Sequence, residues 1–253
     1  MKHAVVGTGT IGSAWALWLS INEKDVAVYD IDKEAAERTG CRVVDMQTIK
    51  EEAEIIWICT AEWHLDAVLE QLRDTDKKVV IRSTIPPSYL HNFEKIYNIK
   101  HMAHMPEFIR EKTAVQDMFN QDRFVIGTTD DALFITLHHM LQKTGKPIFW
   151  VTPQASSLIK LIANNWLATQ ISFWNEIKGI LDTQQQVDNE QVVNAVTADK
   201  RIATYGSHLT GEPFQGFCLP KDLNMLIEEF TRHDKQSPLL SAVKQVNEAA
   251  TEE

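Results

Sequence analysis

Cysteine, glycine and proline are all scarce, with 3, 10 and 8 respectively in 253 residues. Cys41, Cys59 and Cys218 are odd in number, far apart and without metal-ligand spacing. That excludes a disulfide framework and leaves reduced thiols, as in a cytoplasmic protein. Glycine and proline nowhere gather into a low-complexity segment, and no internal repeat is visible. Basic residues are the minority: 25 Lys and Arg against 35 Asp and Glu give a net charge of -10, which argues against nonspecific nucleic-acid binding. No apolar run approaches the ~18 residues that span a bilayer, so no membrane partner is expected. The opening Met1-Lys2-His3-Ala4-Val5-Val6-Gly7 runs straight into a strand without a targeting segment. Among the 9 histidines, His101 with His104 and His138 with His139 lack a convergent third ligand, and no metal is expected.

Hydrophobic residues make up 44% of the chain, enough to bury one large core or two smaller ones. Up to residue 152, short β-rich runs alternate with helical patterns. The strand candidates are Lys2 to Gly7, Asp25 to Asp30, Arg42 to Asp45, Glu54 to Thr60, Lys78 to Thr84, Ile99 to His104, Arg123 to Thr128 and Pro147 to Thr152. Runs such as Ile55-Ile56-Trp57-Ile58-Cys59 are continuously apolar, as strands covered on both faces are. The class expected is α/β, a Rossmann-like, doubly wound, mostly parallel sheet over residues 1–152. Residues 153–253 then read as all-helical. A long helix covers Pro153 to Asp182, and shorter ones Asn189 to Ala203, Pro220 to Arg232 and Pro238 to Ala249.

Gly7-Thr8-Gly9-Thr10-Ile11-Gly12 follows a strand and opens an apolar helix. The first glycine permits the tight turn, the second lets backbone approach a pyrophosphate, and the third lets helix pack on strand. The helix amides at Thr10 and Ile11 then face phosphate. Asp30 ends the second strand, roughly the twenty residues downstream at which an acid meets the adenosine ribose. That favours NAD, because a 2′-phosphate would be repelled, although Lys33 nearby leaves some room for NADP. Later strand ends line the same crevice, which puts Thr60, Ser83 and Thr84 there, either as site residues or as capping hydroxyls.

In the second half, Lys160 and Asn164 lie one turn apart on the long helix and share a face, either converging on a substrate oxygen or decorating a solvated surface. Gly216-Phe217-Cys218-Leu219-Pro220-Lys221-Asp222 sets a thiol, an amine and a carboxylate close together in a turn-prone segment. Lys221 favours the thiolate, and Asp222 is suited to positioning water. A thiol beside a cofactor fold suggests an aldehyde held covalently and oxidised further.

These residues resemble the UDP-glucose/GDP-mannose dehydrogenase family. Gly216 to Asp222 is similar to its cysteine motif, and three more segments agree in order. Arg82-Ser83-Thr84-Ile85-Pro86 is similar to its fifth-strand end. Pro106-Glu107-Phe108-Ile109-Arg110-Glu111, continuing through Asp122-Arg123-Phe124-Val125-Ile126-Gly127, resembles its substrate loop and following strand. Leu158-Ile159-Lys160 through Asn164 to Asn175-Glu176-Ile177 resembles its central helix. The resemblance implies NAD-dependent oxidation of a nucleotide-sugar primary alcohol to the acid, as in polysaccharide biosynthesis, by two hydride transfers through a thiohemiacetal and thioester on Cys218. It implies Lys160 and Asn164 at the oxyanions, and Glu107 and Asp222 at the hydrolytic water. Thr84 and Lys221 would lie against cofactor or substrate, and Phe108, Ile109, Arg110 and Gly216 along the sugar.

Gln215, Phe217, Met105 and Lys112 depart from the family pattern, and the chain stops where a third, nucleotide-gripping domain would begin. A separate chain supplying that domain is one expectation. A homodimer through the long helix, with Trp166, Leu167, Ile171, Phe173 and Trp174, is another. Two further functions stay open. One is a two-electron 3-hydroxyacid dehydrogenase, since Lys160 with Asn164 and Asn165 is also similar to that superfamily's helix motif. The other is a non-catalytic cofactor-binding subunit.

Overall fold

The computed structural model describes residues 1–90, 92–209 and 211–252, in two compact units, Met1–Lys160 and Leu161–Glu253. The first unit starts with β1 (His3–Val6), α1 (Thr10–Asn22), β2 (Val26–Tyr29), α2 (Lys33–Arg38), β3 (Arg42–Val43), α3 (Met46–Glu52), β4 (Ile55–Ile58), α4 (Glu62–Gln71) and β5 (Lys78–Ile81). It continues through α5 (Pro87–Leu90), α6 (Phe93–Ile96), β6 (His101–His104), α7 (Ala114–Phe119), β7 (Phe124–Gly127), α8 (Asp131–Leu141) and β8 (Ile148–Val151). The long helix α9 (Pro153–Leu181) follows, its first turns belonging to this unit.

All eight strands expected from the sequence form one sheet, in the order β3-β2-β1-β4-β5-β6-β7-β8. Neighbours are parallel except β6 and β7, which meet antiparallel at His104 and Gly127. Strand side chains alternate between two cores. Val5, Trp57, Val80, Ala103 and Ile126 enter one, and Val6, Ile56, Ile58, Val79, Ile81 and Met102 the other. Both faces are therefore buried, which is why these strands read as unbroken apolar runs. Each fully buried Ile, Val or Leu contributes roughly 1.5–3 kcal/mol. On the first face Trp15 stacks on Trp18 at 4.8 Å and meets Trp57 edge-on at 4.9 Å.

The register lines up the strand ends that matter for function. Val6 pairs with Ile58, Ile58 with Ile81, and Ile81 with His104, so the segments starting at Gly7, Cys59, Arg82 and Met105 leave the sheet along one carboxyl edge. The start of α9 is tied to that edge: the Ser157 hydroxyl donates to Ile85 O at 2.5 Å, and Ser156 Oγ lies 2.6 Å from His104 Nδ1.

The second unit holds the rest of α9 with α10 (Asn189–Thr197), α11 (Cys218–Arg232) and α12 (Pro238–Glu252). Its core is built on Ala168, Phe214, Leu223 and Val243. Four helix bounds differ from the sequence pattern, two of them slightly: α9 ends at Leu181 instead of Asp182, and α12 reaches Glu252 instead of Ala249. The helix expected to reach Ala203 ends at Thr197, beyond which Arg201 folds back on Asp199 at 2.6 Å. The helix expected from Pro220 begins at Cys218, because the first turn needs no intrahelical N–H and tolerates proline there.

Two buried histidines create a pH dependence. Burial pushes His104 down to about 4, reinforced by the Arg82 charge and opposed by the bond to Ser83. With Ser83 O an acceptor 3.1 Å from Nε2, the neutral ring donates there, while the Ser156 hydroxyl beside Nδ1 donates to Pro153 O at 2.7 Å. Burial, then Lys2, push His3 to about 4 as well, against Glu23 and Asp25, and Trp57 Nε1 donates to its Nδ1 at 3.2 Å. Both folded values lie below the unfolded one, so this stability is present above pH 6.5 and lost as pH falls from there toward 4. We expect unfolding free energy from urea titrations to drop by about 2 kcal/mol per histidine between pH 7 and 5. A flat profile over that window would show the two rings to be protonated without penalty.

Candidate active site

The glycine turn between β1 and α1 has the shape a dinucleotide needs. Gly7 takes φ +91, a conformation side chains rarely adopt, and a Cβ there would lie 2.9 Å from Cys59 C and Thr60 N. A Cβ on Gly12 would come within 1.8 Å of Gly7 O, so α1 can approach β1 only with glycine at that position. A Cβ on Gly9 would meet nothing within 4 Å, leaving backbone facing open space. Gly9 is the N-cap of α1 and makes no side-chain cap, so the amides of Thr10 and Ile11 are available to an anion.

Asp30 is held in place. One carboxylate oxygen accepts from Thr8 N at 2.5 Å and Thr8 Oγ1 at 2.9 Å, and the other from Asp32 N at 2.9 Å. Partial burial would raise this carboxyl, but the hydrogen bonds outweigh it and keep the group below its ordinary range. Lys33 starts α2 and is exposed, 3.9 Å from Glu37. The half-buried Thr60 lies against Gly7, and its Oγ1 has no hydrogen-bond partner among the described residues. Thr84 is half-buried and directly follows Ser83, whose hydroxyl donates to Thr60 O at 2.6 Å. These residues fit NAD.

After β6 the chain forms a loop built on Glu107. One carboxylate oxygen accepts from Ile109 N at 2.7 Å, and the other pairs with Lys160 Nζ at 3.0 Å. Both side chains are buried. Phe108 lies between cations, with the Arg123 guanidinium 4.0 Å and Lys160 Nζ 5.7 Å from its ring centroid. Arg110 fastens the loop instead of projecting alone: its backbone N, Nε and Nη2 donate to Asp117 at 2.9, 2.8 and 2.7 Å. The guanidinium holds that carboxyl well below the usual carboxylate range.

In the second unit Asp222 is the hub. Asn164 Nδ2 donates to one of its oxygens at 2.6 Å, and Lys221 Nζ to the other at 2.7 Å. Asn165 fixes the register by donating to Leu161 O at 2.8 Å and Asp222 O at 3.0 Å. Asp222 is 1% exposed, whereas Cys218, one turn earlier on the same face of α11, is exposed. Gly216 has φ +82 and open space around its Cβ position, which allows the tight entry to α11. Arg82 is a buried residue to which the sequence pattern assigns no role of its own. The signal for Arg82 was a charge directly after an apolar strand, inside a motif already quoted.

A glycine turn, an acid just after β2 and a doubly wound sheet define an NAD-dependent oxidoreductase of Rossmann type. Residues 45–144 match the model of the UDP-glucose/GDP-mannose dehydrogenase family NAD binding domain, and residues 154–249 that of the family's central domain. The chain belongs to this family. It is 25% identical to a UDP-glucose 6-dehydrogenase of Campylobacter jejuni over 98% of this chain and 72% of that one. With UDP-glucose 6-dehydrogenase YwqF of Bacillus subtilis the identity is 29%, over 98% and 66% respectively. A UDP-glucose dehydrogenase structure from Pyrobaculum islandicum superposes with a TM-score of 0.83 at 26% identity, covering 98% of this chain and 68% of that chain. No helix among the described residues is long and apolar enough to cross a membrane.

The two glycines separate binding from folding. Gly9→Ala should keep wild-type stability within about 0.5 kcal/mol while weakening NAD roughly tenfold or more in calorimetry, because the methyl enters the phosphate space. Gly12→Ala should cost about 1–3 kcal/mol in urea unfolding, because it is overpacked against Gly7 O. Equal NAD affinity in Gly9→Ala and wild type would show that the pyrophosphate lies elsewhere.

Proposed function

We propose that the chain oxidises the primary alcohol of a nucleotide sugar to the carboxylic acid. The observation that carries this reading is the exposed Cys218 one helical turn before a buried Asp222 that Asn164 and Lys221 both hold. Gly7, Gly9, Thr10, Ile11, Gly12 and Asp30 would hold NAD, with Lys33, Thr60 and Thr84 alongside, and NAD when bound supplies a hydride acceptor. In this reading residues 1–152 bind the cofactor and 153–253 supply most of the reacting groups.

The first oxidation takes a hydride and a proton from the alcohol, leaving the aldehyde. The Cys218 thiolate then adds to the carbonyl carbon, forming a C–S bond while the oxygen takes a proton. Removal of a second hydride and that proton converts the thiohemiacetal to a thioester. Water attacks, the C–S bond breaks, and Cys218 is regenerated with the carboxylate as product. In sum, one alcohol, one water and two NAD give one carboxylate, two NADH and three protons. Lys160 and Asn164 would stabilise negative charge on oxygen, a contribution of the kind worth about 2.7–4 kcal/mol. Glu107 and Asp222 would orient the water or receive its proton. Phe108, Ile109, Arg110 and Gly216 would border the sugar, and Lys221 would meet substrate or cofactor.

A working thiolate needs reducing surroundings, which supports a cytoplasmic location. A homodimer through α9 is part of the same reading. Ile162, Trp166, Phe173 and Ile180 are each more than half exposed, and their spacing of four, seven and seven residues sets them along one side of the helix.

The test is NADH release with UDP-glucose and GDP-mannose, counted against acid formed. Two NADH per acid are expected, and Cys218→Ser should cut acid formation on the order of 10³-fold or more. Undiminished acid formation in Cys218→Ser would refute the covalent route, and one NADH per substrate without acid would point to a simple hydroxyacid dehydrogenase. For the dimer, Trp166→Asp with Phe173→Asp should halve the mass found by sedimentation, and a monomeric wild type would end that part of the reading.

A further inference from the structure

The loop built on Glu107 and the elements beside it carry three cations, and two of them are committed. Lys160 Nζ pairs with Glu107 at 3.0 Å. Arg110 gives its backbone N, Nε and Nη2 to Asp117. Arg123 differs: its guanidinium makes neither a hydrogen bond nor an ion pair to a described residue, and what holds it is the Phe108 ring, whose centroid lies 4.0 Å away. An aromatic ring attracts a guanidinium by its charge and offers no lone pair. The N–H donors of Arg123 therefore stay open to an acceptor. The side chain is half-buried, so the fork is anchored without being sealed from solvent.

The strand register explains this placement. His104 at the end of β6 pairs antiparallel with Gly127 at the end of β7. Carried past β6, that register sets Phe108 opposite Arg123, which is where ring and guanidinium meet. The start of β7 therefore lies on the carboxyl edge, beside the loop that bears Glu107. Lys160 Nζ reaches the same ring from α9, 5.7 Å from its centroid. The glycine turn stands well apart. In the sheet order β4, β5 and β6 separate β1 from β7, and strands ~4.8 Å apart put β7 about 19 Å from β1. A diphosphate on the amides of Thr10 and Ile11 is out of reach of Arg123, so any anion that Arg123 receives is a second one.

We propose that Arg123 is a substrate-binding residue that receives the diphosphate of the nucleotide sugar while Lys160 meets the oxygen at the reacting end. This deepens the proposed function and rests on it. A planar fork matches two phosphate oxygens at once, and such charge-assisted pairs are roughly twice as strong as neutral hydrogen bonds. In a chain of net charge -10 an anionic substrate needs a local cation of this kind. In a nucleotide sugar one sugar ring separates the primary alcohol from the phosphate, and here one aromatic ring links Lys160 to Arg123. Phe108 then has two tasks. It borders the sugar, and it fixes the fork before substrate arrives, so little side-chain freedom is lost on binding.

The experiment titrates UDP-glucose and inorganic pyrophosphate into the full chain by calorimetry. ADP-ribose, which lacks nicotinamide, is present at saturation to fill the glycine turn and prevent turnover. Wild type should bind both, and Arg123→Met should weaken both about tenfold or more, the effect of losing a charged hydrogen-bonding pair. Arg123→Lys should fall between the two, because a point charge replaces the fork. NAD affinity, measured without ADP-ribose, should change less than about twofold, since the two sites are far enough apart to act independently. If Arg123→Met does not fold, Arg123→Gln carries the same titrations. An unchanged UDP-glucose affinity in the variant overturns the assignment. So does a loss for UDP-glucose with none for pyrophosphate, an equal loss for NAD, or a wild type that binds neither diphosphate. Because no hydride moves, the titration can fail while NADH release succeeds, and Arg123 can govern diphosphate binding in a chain that releases no NADH.

Discussion

The buried ion pair between Lys160 and Glu107 is the constraint on which the arrangement of the first unit's carboxyl edge depends. Both groups are buried and stand 3.0 Å apart. Taking two charges out of water costs several kcal/mol each, which their attraction recovers only with good geometry, and deleting one partner leaves a stranded charge costing about 3–5 kcal/mol. Such a pair is weak evidence for stability and better evidence for use. The surrounding structure keeps it in register: Ile109 N satisfies the second carboxylate oxygen, and Ser156 and Ser157 tie the start of α9 to the sheet's carboxyl edge one turn before Lys160.

The same edge serves the cofactor turn for a different reason. Between β1 and α1 the limiting quantity is space: Gly12 has none to spare against Gly7 O, while Gly9 has open space on the side where phosphate would lie. Asp30 completes the arrangement because Thr8 and Asp32 have already fixed its carboxylate. A ribose hydroxyl would therefore meet an acceptor whose orientation needs no further ordering.

In the second unit Asp222 plays the organising part. Asn164 and Lys221 each take one of its carboxylate oxygens, and Asn165 takes its carbonyl. The start of α11, and Cys218 with it, is thereby fixed relative to α9. The bulky Phe217 before the thiol stays exposed, with Lys221 Nζ 5.7 Å from its ring centroid, so the substitution adds an aromatic surface beside the sulfur without disturbing the core.

The sequence by itself determined every strand and the glycine turn. These rest on local facts: continuous apolar runs, glycines where a side chain would collide, and an acid at the end of β2. The end of α10 and the start of α11 were not legible, because a side chain closing a turn, as Arg201 does on Asp199, or a proline in a first turn leaves no periodic trace. Only the tertiary structure decided that Lys160 pairs with Glu107, that Asn165 rather than Asn164 alone fixes α11, and that Arg82 is a buried cation without a hydrogen-bonded acid among the described residues. Each of these is a relation between residues far apart in the chain. Burial and partnership are created when strands and helices pack, and a sequence of residue types does not specify them until that packing exists.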